Sequence, residues 1–298
     1  MTDLVISYVN GNDIIWQKQF DDYIKRYRCV ENRYGTRFND IGLFQYQLKL
    51  VSKYMPFIRN IYILVSNKEQ LNGIELPPNA FVVLHKDFIP NLYLPTFNST
   101  TIEMFLWNIP WLAEQFIYAN DDMLPVGSLK ETDFFSPSGK VRMNWHIDDI
   151  SKCTSQFRQV CYRQFQEIKQ LSITDNHNHK FSKEHYYRPY HTMTPMIKSH
   201  CKEIFEKLGY AISKYISPFR TQYNHNQYIF PLYELLCLKN TLPSKIDFVY
   251  TEIKMDSDAT IQALNENHQI VCINDNRMSM VRQIDIKSIY KLLDRRLG

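Results

Sequence analysis

Glycine is scarce, with eight residues in 298. Neither GxGxxG nor GxxxxGK[ST] occurs, so no glycine-rich loop cradles a phosphate, and a phosphate-bearing ligand must be held by side chains or a metal. GxSxG and HExxH are also missing, which removes the serine nucleophile elbow and the helical zinc motif. The six cysteines (Cys29, Cys153, Cys161, Cys201, Cys237 and Cys272) show no CxxC spacing. They read as mostly buried free thiols in a reducing cytoplasm, not as a disulfide frame or a zinc site. The chain has no run of about 18 apolar residues, and its start, "MTDLVISYVNGND", has no charged n-region. Neither a membrane span nor a signal peptide is expected.

An excess of one charge is missing too: 35 Lys and Arg face 31 Asp and Glu, a net charge of +4. With no long basic run, nucleic acid is not an expected partner. A mildly basic surface suits an anionic substrate or a peripheral contact with acidic lipid. Hydrophobic residues at 44% and charged residues at 22% describe a globular chain, long enough for one large domain or a domain with a subdomain. Twenty tyrosines and eighteen phenylalanines suit sugar stacking and, equally, a rich core.

"DLVISYV" (3–9), "NIYILVS" (60–66), "AFVVLH" (80–85) and "QFIYA" (115–119) are short apolar runs that predict strands. "DIIWQKQFDDYIKRY" (13–27), "NDIGLFQYQLKLVSKYM" (39–55) and "STTIEMFLWNI" (99–109) carry apolar residues at helical spacing. Their alternation predicts an α/β fold, a Rossmann-like and mainly parallel sheet with ligands beyond the carboxyl ends of its strands. The expected organisation is an α/β core over 1–150 and a helical insertion or lid over 151–245. The insertion has helices over 194–208 and 225–239 and a surface loop or flap at 172–185. Residues 246–298 complete the core with the strand "HQIVCIND" (268–275) and a helix over 284–297.

"QFIYANDDMLPVG" (115–127) puts Asp121 and Asp122 at the tip of an apolar strand. Two adjacent carboxylates repel and call for a positive partner. Such a pair holds a divalent cation against a diphosphate, or it is a turn with a helix N-cap. In "LPTFNSTTIE" (94–103), Thr100 with Glu103 fits a capping box, the favoured reading; otherwise Glu103 points from the first helical turn into the same cleft. In "YVNGND" (8–13), Asn10-Gly11 signals a turn, and Asp13 caps the next helix or lies where a nucleotide would sit. "CIND" (272–275) ends the last strand in the same manner. His191 and Arg220 each precede an expected helix. A structural His and a surface Arg are the ordinary expectations. Phosphoryl chemistry, however, needs a proton-transfer group near neutrality and a fork-shaped cation.

"VISYVNGND", "IRNIYILVSN", "LPTFNSTTIEMFLWNIPWLAEQFIYANDDM", "HTMTPMIKS", "FRTQYNHNQYIF" and "VCINDN" resemble the characteristic blocks of the Stealth family, in the family's order and across nearly the whole chain. The resemblance implies transfer of a sugar 1-phosphate from a nucleotide diphosphate sugar, a UDP-hexose or UDP-N-acetylhexosamine. The acceptor would be a hydroxyl of a glycan or lipid-linked glycan, in capsular or exopolysaccharide synthesis. It implies catalytic roles for Glu103, Asp122, His191 and Arg220, and substrate contacts from Asn10, Asp13, Arg37, Asn98, Asn226 and Asn274. Mg²⁺ or Mn²⁺ would sit at Asp121, Asp122 and Asp275. A cytoplasmic enzyme is implied, touching membrane-bound polysaccharide machinery at most peripherally. The chain departs from the family pattern at Tyr8, Asn10, Leu43, Gln45 and Asn224. Two rival readings remain: a metal-dependent glycosyltransferase attacking the sugar's C1, and a catalytically inactive glycan-binding protein.

Overall fold

The apolar runs become the centre of one sheet in the computed structural model, which describes residues 1–28, 38, 40–174, 184–253, 258–274 and 283–298. In chain order the first elements are β1 (Thr2–Ser7), α1 (Ile14–Tyr27), α2 (Leu43–Tyr54), β2 (Ile58–Val65), β3 (Ala80–Leu84), α3 (Ser99–Glu103), β4 (Gln115–Asn120), β5 (Met123–Pro125), α4 (Glu131–Phe134), β6 (Val141–Met143) and β7 (Trp145–Asp149). Then follow α5 (Gln156–Thr174), β8 (His185–Pro189), β9 (Thr194–Ile197), α6 (Lys198–Lys207), α7 (Gly209–Tyr215), α8 (Ile229–Leu236), β10 (Thr241–Pro243), β11 (Phe248–Glu252), α9 (Asp258–Asn265), β12 (Ile270–Asn274) and α10 (Gln283–Leu297).

The main sheet has the order β3-β2-β1-β4-β9. Its first four strands run parallel and β9 runs antiparallel to β4, so the fold is α/β with a Rossmann-like, mainly parallel sheet. Side chains alternate between two cores: Val5, Tyr62, Leu64, Phe116 and Tyr118 face one, and Leu4, Ile6, Ile61, Ile63 and Ile117 the other. Burial on both faces is why these strands read as unbroken apolar runs. The chain builds outward from β1 to β3 and then returns to lay β4 on β1's other side. The strand order therefore reverses between β1 and β4, which opens a crevice beyond their carboxyl ends.

Several expected elements differ. Residues 194–208 are not one helix: Thr194–Ile197 form β9, and α6 begins at Lys198. A strand tolerates Pro195 there because β9 is an edge, where a missing N–H breaks no ladder. The helix expected over 225–239 is the shorter α8, and the one over 99–109 splits into α3 and a 3₁₀ turn at Leu106–Asn108. The last strand does not enter the main sheet. β12 lies between β11 and β5 in a separate three-stranded sheet, because β5 turns away from β4 just after the two acids. Behind it, Ile289 and Leu293 of α10 pack with Leu43 and Leu50 of α2 and Val271 and Ile273 of β12. Most of the expected loop at 172–185, and Cys29, lie outside the described residues. The other five cysteines are free, and only Cys153 is not buried. Among the described residues no helix is long and apolar enough to cross a membrane.

One buried ion pair ties the amino ends of the central strands. The Asp3 carboxylate, 0% exposed, accepts from Arg59 Nε at 2.8 Å and Nη2 at 2.6 Å. It also accepts from the backbone N–H of Asn60 (3.2 Å) and of Ala113 (2.7 Å). Removing it orphans two backbone donors and half-buries an unpaired guanidinium. Asp3→Ala should therefore cost about 2–3 kcal/mol of unfolding free energy in urea titration. A loss within about 0.5 kcal/mol, the range of neutral surface changes, would rule the clamp out.

Candidate active site

Strand register assembles the site. Ser7 of β1 pairs with Asn120 of β4, so the loop after β1 and the Asp121-Asp122 pair leave the sheet side by side. Tyr118 pairs with Thr194 across the antiparallel β4–β9 edge. His191 lies three residues before that pair on the β9 side, next to the strand end that carries the acids. Met123 pairs with Cys272, and the Ile273 N–H donates to the Asp122 carbonyl at 2.9 Å. Gln47 of α2, 0% exposed, holds the turn itself. Its Nε2 donates to the carbonyls of Asn120 (2.7 Å) and Met123 (2.8 Å). The sequence candidates omit Gln47; the signal was an amide on the apolar face of a helix, since a buried amide must find partners.

His191 Nε2 lies 3.9 Å from Asp122 Oδ2. Its Nδ1 lies 3.1 Å from the Tyr228 hydroxyl, which is buried and fixes the ring so that Nε2 faces the acids. The donor atoms of Asp122, His191 and Cys272 all lie within 4.8 Å of one another. Burial, and then the charge of Asp122, push the Cys272 thiol well above its ordinary pKa. It therefore keeps its proton when no cation is bound, and its soft sulfur suits Mg²⁺ or Mn²⁺ less well than the carboxylate oxygens do. Asp122 Oδ1 is buried without a hydrogen-bond partner. That orphaned oxygen beside a second carboxylate suits a hard, oxygen-seeking divalent cation that takes its other ligands from a phosphate. The third expected metal ligand, Asp275, lies outside the described residues.

Glu103 does not belong to a capping box. Asn98 is the N-cap of α3, its Oδ1 accepting from Thr100 N at 3.1 Å and Thr100 Oγ1 at 2.8 Å. Glu103, 5% exposed, instead accepts the Gln227 N–H on Oε2 at 2.7 Å. Burial pushes its pKa up to about 7, opposed by the Gln227 N–H and then by the charges of Arg220 and His191. Both sequence-distant residues thus act on the same buried carboxylate. Arg220 Nη2 donates to Ser99 Oγ at 2.6 Å. Beneath them Tyr118, its hydroxyl 2.9 Å from Ser7 Oγ, is held protonated by burial and then by Glu103, with Asp121 and Asp122 adding to the effect. Glu103, Asp121, Asp122, His191 and Arg220 therefore share one cleft.

The Arg220 loop is set by its neighbours. Phe219 stacks on Phe97 at 5.4 Å, and the Phe97 N–H donates to the Pro218 carbonyl at 2.9 Å. Arg163 donates to the carbonyls of Gln222, Tyr223 and Asn224 at 2.8–3.0 Å. Gly11 is needed where the β1–α1 turn meets this wall, since a Cβ there would lie 2.3 Å from the Phe38 carbonyl oxygen.

Asn10, Asp13, Asn98 and Asn226 spend their side chains on scaffold. Asn10 Oδ1 accepts from Asn12 N at 2.9 Å. Asp13 caps α1 through Ile15 N and Trp16 N, both at 3.1 Å, and accepts from Asn67 Nδ2 at 2.7 Å. Asn98 also donates to Ser217 O at 3.0 Å. Asn226 Oδ1 accepts from Gln164 Nε2 (2.9 Å) and Tyr228 N (3.1 Å). Asn274 ends β12, half-buried, its carbonyl accepting from Ile253 N at 2.8 Å. Arg37 lies outside the described residues. Two residues absent from the candidates, Gln227 and Tyr228, hold Glu103 and His191 directly. Both sit in the "NHNQYIF" run, where polar residues adjoin an apolar helix.

The raised Glu103 value makes stability pH-dependent. The folded state keeps a proton that the unfolded chain releases at its ordinary value of 4.5. The associated stability is full below that pH and is lost as pH rises to about 7, a change on the order of 3 kcal/mol. Glu103→Gln should flatten this slope in denaturant titrations over the same range. Parallel wild-type and variant curves would contradict the assignment.

Residues 37–143 match the family model described as Stealth protein CR2, conserved region 2. The chain is 38% identical over 141 residues to the capsular polysaccharide phosphotransferase cps1A of Actinobacillus pleuropneumoniae, covering 46% of this chain and 39% of that relative. It is 27% identical over 325 aligned positions to the capsular polysaccharide phosphotransferase WcwK of Streptococcus pneumoniae, covering 95% of this chain and 94% of WcwK. The chain thus spans about two fifths of the first relative and nearly all of the second. Among solved structures, the galactosyltransferase LgtC in complex with donor and acceptor sugar analogs covers 99% of this chain and 96% of its own at 12% identity, with a TM-score of 0.47. That likeness is too distant to compare sites. The matched conserved region contains Glu103, Asp121 and Asp122, and over it the chain is similar to Stealth proteins; the alignment with WcwK runs nearly end to end.

Proposed function

We propose that this chain transfers a sugar 1-phosphate from a nucleotide diphosphate sugar, a UDP-hexose or UDP-N-acetylhexosamine, to a glycan hydroxyl in capsular or exopolysaccharide synthesis. It would act in the cytoplasm, on a glycan or lipid-linked glycan. The observation that carries this reading is the convergence of three carboxylates with His191 and Arg220 at the switch point between β1 and β4. Relatives named as capsular polysaccharide phosphotransferases support it.

In this mechanism the acceptor oxygen bonds to the β-phosphorus while the bond from that phosphorus to the bridging oxygen breaks, releasing the nucleoside monophosphate. His191 Nε2, aimed by Tyr228, takes the hydroxyl proton or attacks first and carries the sugar phosphate as a phosphohistidine. Arg220 offsets the charge on the equatorial phosphate oxygens. Glu103, poised near neutrality in its buried pocket, lies within electrostatic reach of both Arg220 and His191. Asp121 and Asp122 would hold Mg²⁺ or Mn²⁺, which when bound neutralises diphosphate charge.

Incubation with UDP-sugar and oligosaccharide acceptors should release UMP, and EDTA should abolish the release until Mg²⁺ or Mn²⁺ is restored. Release of UDP would replace this reading with glycosyl transfer at C1, and no release with a binding protein. Full activity after chelation would remove the metal.

Asp122→Asn should lower kcat/KM by about 10²-fold or more, about 3 kcal/mol of transition-state stabilisation. Its melting temperature should stay within about 3 °C of wild type, since the side chain adds little to the core. A variant that melts far lower would make Asp122 a structural residue instead.

A further inference from the structure

We infer that a cavity of about 500 Å³ between α1 and the 92–95 and 216–218 segments is the subsite for a neutral sugar ring of the acceptor glycan, an assignment that rests on the transfer reading above. The volume falls within the range of about 300–1,000 Å³ usual for small-ligand sites. α1 uses one face, Trp16 and Phe20, for the aromatic core. Its other face, carrying Gln19, Asp22, Tyr23, Arg26 and Tyr27, lines the cavity, at the three- and four-residue spacing that aligns side chains on a helix.

The lining chemistry selects the ligand. Tyr23 and Tyr27 lie against each other, ring centroids 4.4 Å apart and tilted by 31°, and Tyr27, 57% exposed, presents aromatic surface suited to the C–H face of a pyranose. Gln19, Asp22 and Arg26 supply an amide, a carboxylate and a guanidinium, the donor and acceptor set that neighbouring hydroxyls bridge. The charges of Asp22 and Arg26 offset each other, so the lining is matched to a neutral polyol and not to a diphosphate. That separates this site from the acidic strand ends.

Its position selects the acceptor. Ser217, on the cavity wall, accepts through its carbonyl from Asn98 Nδ2 at 3.0 Å and Thr101 Oγ1 at 2.9 Å. Asn98 precedes Ser99, the partner of Arg220. Tyr23 packs on Phe219, at 5.6 Å between ring centroids, immediately before Arg220. A glycan resting on the tyrosines is thus separated from Arg220 only by the loop that carries it, and its next residue reaches past that loop toward the phosphate.

The test reads binding apart from turnover. The full chain is titrated with neutral di- to tetrasaccharides of hexose and N-acetylhexosamine, with UMP as control, by saturation-transfer NMR. At least one oligosaccharide should bind. The double variant Asp22→Ala/Tyr27→Ala should weaken it about tenfold or more, Tyr27→Phe should retain it, and UMP binding should not change. In turnover the double variant should raise acceptor KM by a similar factor and leave donor KM and donor hydrolysis alone. No oligosaccharide binding, or binding unchanged in the double variant, overturns the subsite. If UMP is released and nothing binds here, the subsite fails alone; if UDP is released while the variants behave as expected, the transfer reading fails and the subsite stands as an acceptor site.

Discussion

The pairing of β4 with β1 on one side and β9 on the other is the constraint on which the site depends. A strand fixes its neighbours' register through every hydrogen bond it shares. Once Ser7 lies beside Asn120 and Tyr118 beside Thr194, the Asp pair, the β1 loop and the segment carrying His191 leave the sheet at the same end, where Gln47 and Tyr228 fix them. A slip of one residue would turn Tyr118 out of its core and aim His191 at the opposite face. The apolar packing that forbids the slip also holds the chemistry in place.

The second layer is electrostatic. Glu103, Tyr118, Tyr228 and Cys272 are all nearly or fully buried around the acids. In each case burial is the largest influence, and it favours the neutral form. A low-dielectric floor of neutral groups leaves the Asp pair and Arg220 as charged groups facing the cleft with the His191 ring beside them, where each interaction is stronger than it would be in water. Glu103 is the group balanced between the two regimes. Desolvation raises its pKa, and Arg220, His191 and one backbone N–H lower it.

Asn and Asp residues at the strand ends divide by what their side chains already hold. Asp13, Asn98 and Asn226 were legible as polar residues at turns, and turns and caps are what they build. Asp122 differs because one of its oxygens is buried with no partner. Gln47, Gln227 and Tyr228 were not legible as site residues. Each acts through a backbone or ring contact with a residue 37 to 124 positions away, and no local pattern encodes such a contact.

By itself the sequence determined the central strands and the first and last helices, because their apolar periodicity depends only on which face is buried. It also carried the acids at the end of β4 and, through the resemblance of its blocks, the cleft residues Glu103, His191 and Arg220. Tertiary structure decided what short segments do. "TMTPMI" is a strand because an edge of β4 was open to it, and β12 left the main sheet because β5 offered it another edge. Glu103 met Gln227 instead of its own helix cap because the Asn98 side chain had already taken the cap's donors. Such choices are settled by which partners remain unpaired once the rest of the chain has packed, and that information is not local to any stretch of sequence.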